Sequence, residues 1–178
     1  MLARISSAWA TFELTLAALL AVAVSALILL NVVTRSLGAA IYWVDELAIY
    51  CMVWMAFLAA SAALHYGNSV AVTLFRDILP ERPKRLLIKF VDLVVLIFAL
   101  AMLWFCWLWY RPDALIRAGF DIQRFQGATF NFIYSEPTTT LGIPKFWVWL
   151  VMWFFSFGAF VHSLHNLFGA SGSRKDAS

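Results

Sequence analysis

Apolar positions along the chain are gathered into four long runs, which shorter polar segments separate. The runs cover residues 14–33, 44–64, 90–110 and 146–164. Each is close to or above the roughly 20 helical residues that a bilayer crossing needs. All five prolines lie outside the runs, so no proline interrupts a helix. The pattern predicts an all-α membrane protein with four transmembrane helices in a single domain, residues 1–178.

The first run has a competing interpretation as a secretory signal, because Ala21-Val22-Ala23 resembles a small-residue cleavage site. Its apolar residues continue to Leu30, which is longer than the apolar part of a signal peptide. We therefore predict a retained helix.

The segments between the runs differ in character. Residues 65–89 mix apolar and basic positions, which predicts a short amphipathic helix on the inner membrane surface that ends at Pro80. Residues 111–145 form a long loop with five aromatic side chains, which we expect to pack on the membrane surface or on a partner. Residues 169–178 are expected to be a disordered tail.

The distribution of Lys and Arg predicts the orientation. Eight of the 13 basic residues lie in the two terminal segments and the segment 65–89, all on one side of the membrane. Cytoplasmic loops carry the excess of Lys and Arg in membrane proteins. We therefore expect both termini in the cytoplasm and the loop 111–145 on the opposite, outer side of the membrane.

Composition supports a membrane protein and excludes several other classes. Of the 178 residues, 63% are hydrophobic and 13% charged, whereas a soluble domain has about 45–50% and 25%. The mean hydropathy is +0.84. A soluble enzyme, a disordered chain and a disulfide-rich secreted domain are excluded. Cys51 and Cys106 lie within apolar runs and are interpreted as small core residues.

The four apolar runs contain few side chains that could catalyse a reaction or bind a ligand. We expect Glu13 to precede the first helix, no ionisable group near the middle of the bilayer, and no serine, histidine and acid at one depth. No enzyme activity, cofactor or metal site is therefore predicted. Two alternatives stay open: a redox anchor that binds haem through His65 and His162, and a self-contained small transporter, although transporters usually build their sites from broken helices.

Small residues recur at helical spacing in the first two runs. Ala17, Ala21 and Ser25 follow one another at intervals of four, as do the pairs Ala56/Ala60 and Ala59/Ala63. Such ridges let helices approach closely. They predict packing within the four-helix domain, contact with another membrane subunit, or both on different faces.

The order of short motifs resembles a known family. Asn31-Val-Val-Thr-Arg35 is followed by Trp43-Val-Asp-Glu46-Leu, and Ser135–Pro144 precedes the last run. With Tyr50, Trp54, Phe57 and Gly67, these residues resemble the small membrane subunit (DctQ-like, or Q subunit) of TRAP transporters, the tripartite ATP-independent periplasmic uptake systems.

The resemblance implies a function and partners. The chain would be the non-catalytic small permease subunit of a sodium-coupled system that imports an organic acid across the bacterial inner membrane. Its partners would be a large multi-span subunit, for whose elevator motion it is the scaffold, a periplasmic substrate-binding protein, and phospholipids. No nucleic-acid partner is expected.

Two groups of candidate residues follow. The subunit-interface candidates are Arg35, Trp43, Asp45, Glu46, Tyr50, Trp54, Ala17, Ala21, Ser25, Ala56, Ala60 and Ala63. The lipid-interface candidates are Arg76, Arg82, Lys84, Arg85, Lys89, Trp104, Trp107, Trp109, Trp147 and Trp149. Within the first group we predict an ion pair between Arg35 and Glu46 that fixes the turn between the first two helices.

Overall fold

The computed structural model describes residues 2–66 and 80–168, with only the backbone of Glu81 and Arg85. The predicted amphipathic helix before Pro80, Arg76 and the predicted tail lie outside the described residues. The described helices are α1 (Leu2–Ser36), α2 (Tyr42–Tyr66), α3 (Glu81–Tyr110), α4 (Pro112–Arg117), α5 (Ile122–Thr129), α6 (Lys145–Trp149) and α7 (Val151–Phe168).

Four helical segments are long and apolar enough to cross a membrane, which confirms the predicted fold class. They are Leu2–Ser36, Tyr42–Tyr66, Arg82–Arg117 and Lys145–Phe168. The first differs from the prediction, because α1 has 35 residues and begins well before its apolar run. At 1.5 Å per residue it is about 50 Å long. Glu13 therefore lies inside α1 and not before it, contrary to expectation.

The ends of the helices follow local sequence. Arg111 adopts a left-handed conformation (φ 42°) and ends α3, and Pro112 then begins α4. Proline suits a first helical position because its missing N–H would have no partner there. Gly38, with φ 73°, closes the tight turn between α1 and α2, where a residue with a Cβ would be strained.

The long helices pack around α7. α1 and α2 lie against each other and against α7, and α3 packs on the other side of α7. Small buried residues, including Ala10 and Ala17 of α1 and Ala159 of α7, allow this approach. α7 is the most buried long helix, whereas α1 and α3 expose most of their apolar side chains. Of the two cysteines predicted to be core residues, Cys106 of α3 is buried and Cys51 of α2 is only half-buried.

The bundle has two polar ends, named here for their residues. The histidine end contains Ser6, His65 and His162, where α1 begins and α2 and α7 finish. The loop end contains Arg35, Glu46 and residues 111–144. Apart from one antiparallel bridge between Pro137 and Pro144, the described part of the chain contains helices, turns and irregular segments.

Candidate functional site

At the loop end, the turn between α1 and α2 is held by Asp45. The Asp45 carboxylate forms an ion pair with the Arg35 guanidinium and accepts a hydrogen bond from the Asn31 amide. Arg35 Nε also donates to Asn31 Oδ1 at 2.9 Å. The predicted Arg35–Glu46 ion pair is therefore wrong. Consecutive residues on a helix point about 100° apart, so when Asp45 faces α1, Glu46 faces elsewhere.

Glu46 instead binds the backbone of the long loop. Its carboxylate accepts hydrogen bonds from the backbone N–H groups of Thr139, Thr140 and Leu141, at 2.8, 2.6 and 3.0 Å. The Thr140 hydroxyl donates a further bond at 2.6 Å, and the Tyr50 hydroxyl donates one at 2.7 Å from within α2. One carboxylate thus holds a loop that lies more than 90 residues away in sequence.

The loop turn is shaped to present these N–H groups. Thr138 N–H donates to the Ile143 carbonyl at 2.8 Å, and Ile143 N–H donates to the Thr138 hydroxyl oxygen at 3.1 Å. Gly142 supplies a positive φ of 68°. Lys145 forms an ion pair with Glu136 at 2.6 Å across the base of the turn. The peptide groups of residues 139–141 are free of this pairing and point at Glu46.

The rest of the loop is a folded unit with its own core. Phe125, Ile133 and Tyr134 are buried together against Tyr110 at the end of α3. The Tyr134 hydroxyl donates to the Tyr110 carbonyl at 2.7 Å, and burial raises the pKa of Tyr134. Asp121 caps α5 by accepting from two backbone N–H groups. Part of the aromatic content of the loop therefore serves its own core, while Phe120, Phe130 and Phe132 are exposed.

Trp54 links α2 to the last span. Its indole Nε1–H donates to the Val148 carbonyl at 2.8 Å, next to the break between α6 and α7. Its ring also packs 5.8 Å from that of Phe154. A helix end leaves carbonyls without a partner inside the helix, so Trp54 satisfies a group at this junction.

At the histidine end, polar side chains from three helices meet in the core. The Ser6 hydroxyl lies 2.7 Å from His65 Nδ1 and 2.8 Å from His162 Nδ1. His162 Nε2 lies 3.1 Å from Glu13 Oε2, and Trp9 Nε1–H donates to Glu13 Oε1 at 2.8 Å. Ser6, Glu13 and His162 have no exposed surface. We call Ser6, Trp9, Glu13, His65 and His162 the buried polar cluster.

Gly158 makes room for this cluster. A Cβ at Gly158 would overlap Glu13 Oε1 and Ser61 Oγ and would lie 2.8 Å from Trp9 Nε1. Ser61 is itself buried, and its hydroxyl has no hydrogen-bond partner among the described residues. The carboxylate thus occupies space that any larger residue at position 158 would fill.

The cluster corrects two expectations. Serine, histidine and acid do lie at one depth, in the order Ser6, His162, Glu13, which is the order of contacts in a hydrolytic triad. All three are fully buried, so no substrate can reach the hydroxyl. The second correction concerns Glu13, which was expected to precede the first helix and is instead fully buried within the bundle.

The histidine geometry does not support the haem alternative. The His65 and His162 rings are 5.3 Å apart, centre to centre, and both Nδ1 atoms face the same serine hydroxyl. A haem would have to separate the two rings by the porphyrin plane and the iron, and His162 already has both ring nitrogens in hydrogen bonds.

The predicted small-residue ridges lie partly on buried and partly on exposed faces of α1 and α2. The buried stripe of α1 consists of Ser6, Ala10, Glu13 and Ala17. Ala21 is half-buried, and the exposed Ser25 hydroxyl donates to its own helix at Ala21. On α2, the buried positions include Ser61 and Ala62, whereas the exposed stripe is Ala56, Ala60 and Ala63.

The remaining candidates divide by exposure. Trp43 at the start of α2 is exposed, and Asp45, Glu46, Tyr50 and Trp54 are occupied by the internal contacts above. Most of the described lipid-interface candidates are exposed, namely Arg82, Lys89, Trp104, Trp107, Trp109 and Trp147. Lys84 and Trp149 are half-buried.

Comparison with known proteins gives one result. Residues 24–171 match the family described as tripartite ATP-independent periplasmic transporters, DctQ component. Neither the curated proteins nor the solved structures give a match. Because the family match covers most of the chain, the chain belongs to the DctQ family and is a non-catalytic small permease subunit of a TRAP transporter. Such a transporter also has a large membrane subunit and a substrate-binding protein.

Proposed function

From this family membership, we propose that the chain is the static scaffold on which the large subunit moves, in a sodium-coupled system that imports an organic acid across the bacterial inner membrane. The sodium coupling, the acid and the inner membrane rest on the family resemblance. The scaffold role also has support from the chain itself.

The observation that carries the scaffold role is that polar contacts hold the bundle at both ends. Glu46 ties α2 to the turn at residues 138–143, and the buried polar cluster ties α1, α2 and α7 together. Moving parts of transporters have broken helices or hinges. Here α1, α2 and α3 are continuous. The last span has one break, between α6 and α7, and there Trp54 donates a hydrogen bond to the Val148 carbonyl.

We propose that the exposed stripe of α2 contacts the large subunit. Ala56, Ala60 and Ala63 lie on one face at helical spacing, and small residues let a second helix approach closely. Trp43 lies on the same helix at the loop end. The exposed tryptophans and the basic residues of α3 are proposed to contact lipid headgroups.

The interface proposal is tested by steric substitution. Ala60→Phe should reduce co-purification with the large subunit and should leave the amount of folded small subunit unchanged. Ile97→Phe, at an exposed position of α3, is the matched control and should retain the complex. Equal yields of complex from the two variants would contradict the proposal.

Transport itself is tested by reconstitution. Vesicles that contain both membrane subunits, the binding protein and an inward sodium gradient should accumulate substrate. Vesicles with the small subunit alone should not. Uptake by the small subunit alone would overturn the scaffold role. If uptake by the full system is the same with and without the sodium gradient, the proposed sodium coupling is wrong.

The proposed orientation places the histidine end in the cytoplasm and the loop end in the periplasm. Gln123 and Ala3 are exposed at opposite ends, so each can carry a single cysteine in a chain whose native cysteines are replaced. In intact cells with a permeable outer membrane, an impermeant thiol reagent should label Gln123→Cys and spare Ala3→Cys. The reverse pattern would invert the orientation.

A further inference from the structure

We propose that the buried polar cluster is a proton-binding site, loaded through a chain of hydrogen bonds from His65 through Ser6 to His162 and ending at the carboxylate of Glu13. The proposal goes beyond the scaffold role and does not depend on it.

The geometry supplies a continuous path. The path from His65 Nδ1 through Ser6 Oγ and the His162 ring to Glu13 Oε2 consists of contacts of 2.7, 2.8 and 3.1 Å. His65 is half-buried, and its ring lies 6.0 Å from that of His165 near the end of α7. The path therefore begins near the aqueous surface at the histidine end and finishes at a carboxylate with no exposed surface.

With Glu13 as a carboxylate, the proton count sets the direction of each hydrogen bond. A serine hydroxyl has one proton, so Ser6 donates to one imidazole and accepts from the other. Before loading, His162 donates its Nε2 proton to the Glu13 carboxylate and accepts the Ser6 proton at Nδ1. His65 then donates its Nδ1 proton to Ser6. In this state the cluster carries one negative charge, on Glu13.

Loading adds one proton and moves two others. The new proton binds His65 at Nε2, the Nδ1 proton of His65 passes to Ser6, and the Ser6 proton passes to His162 Nδ1. His162 is then an imidazolium next to the Glu13 carboxylate, and His65 is neutral again, with its proton on Nε2. One proton has entered, each N–H or O–H bond that breaks is replaced by one that forms, and the net charge of the cluster is zero.

The proton is the ligand that this site fits. A buried carboxylate without a compensating charge is costly, and the imidazolium supplies that charge without a further ion. No group of three His, Cys, Asp or Glu side chains within residues 2–66 and 80–168 is arranged to hold a metal ion. The path also stops at Glu13, so it describes proton binding and not transmembrane conduction.

The groups that set the response to pH come from every helix packed there. α1 contributes Glu13, α2 contributes His65, and α7 contributes His162 and His165. α3, which packs on α7, brings its buried acid Asp92 to the same half of the bundle. Because these histidines can each bind or release a proton, we expect the charge of the cluster to respond to the pH at the histidine end.

Nitrogen-15 NMR of histidine in the purified full chain tests the proposal, with each signal assigned from a single His→Gln variant. As the pH falls from 8 to 5, His162 should become an imidazolium. At the same midpoint, His65 should change from the Nδ1–H to the Nε2–H tautomer. This joint transition is the signature of a connected path, since two independent imidazoles would titrate separately.

Substitutions at Ser6 distinguish a connected hydrogen-bonded path from two histidines that are merely buried close together. Ser6→Ala should uncouple the two transitions, and Ser6→Thr, which keeps the hydroxyl, should restore them. Asp92→Asn should leave the joint transition in place. Glu13→Gln should prevent formation of the imidazolium at His162. If that variant does not fold, the comparison of Ser6→Ala with Ser6→Thr still tests the proposal. A neutral His162 throughout this range, or coupling that persists in Ser6→Ala, would refute the proposal.

Discussion

Replacing Gly158 by alanine tests how closely α1 and α7 pack around the buried polar cluster. The added methyl group would overlap Glu13 Oε1 and Ser61 Oγ and would press on Trp9. Because Glu13 has no exposed surface, it cannot move into water. The helices must separate, and the carboxylate must also shift and give up a hydrogen bond to Trp9 or His162.

The magnitude follows from three effects. Overpacking a core costs typically 1–3 kcal/mol, and a lost hydrogen bond to a charged group costs about 1.5–3 kcal/mol. Alanine regains roughly 1 kcal/mol over glycine inside a helix. The net loss in the free energy of unfolding should be about 2–4 kcal/mol. For a chain of this size that corresponds to a decrease in Tm of about 5–15 °C.

Thermal unfolding of the detergent-purified chain measures this loss. Gly127→Ala in α5 is the matched control, because a Cβ there has nothing within 4 Å, and its Tm should be unchanged or slightly raised. Adding Ser61→Gly to Gly158→Ala removes one of the overlaps and should recover part of the Tm. If Gly158→Ala and Gly127→Ala unfold at the same temperature, the close packing of Glu13 against α7 is wrong.

The remaining predictions concern the loop end. Glu46→Gln removes the charge that the loop N–H groups bind, so limited proteolysis should cut residues 136–144 faster, and Asp45→Asn, which changes only the contact with α1, should not speed this cleavage. Equal cleavage of the two variants would contradict the role of Glu46. Arg35→Ala breaks an exposed ion pair and should lower the free energy of unfolding by at most about 1 kcal/mol, and a larger loss in thermal unfolding would show that the pair does more than stabilise the turn. Trp54→Phe leaves the Val148 carbonyl without its donor and should cost about 1 kcal/mol. Trp104→Phe, at an exposed position, should not change the Tm, and equal losses from the two tryptophan variants would argue against the hydrogen bond.

The sequence alone determined the fold class and the family. In a bilayer a helix satisfies its own backbone hydrogen bonds, so an apolar run of sufficient length specifies a spanning helix without reference to the rest of the chain. The four predicted runs all lie in such helices. The order of short motifs from Asn31 to Pro144 resembles the DctQ family, and the family match over residues 24–171 confirms this resemblance.

The tertiary structure decided which side chains meet. Asp45 and Glu46 are neighbours in sequence, and only the rotation of α2 determines that Asp45 faces Arg35 and that Glu46 faces the loop. The extension of α1 before its apolar run carries Glu13 into the bundle. There it meets His162, which is 149 positions away in sequence. The buried face of α1 has helical spacing in the sequence, at Ser6, Ala10, Glu13 and Ala17. Because two of these residues are polar, a search for apolar positions does not detect this face. Helix rotation and relative depth depend on packing among distant segments, and a one-dimensional hydrophobic pattern contains neither quantity.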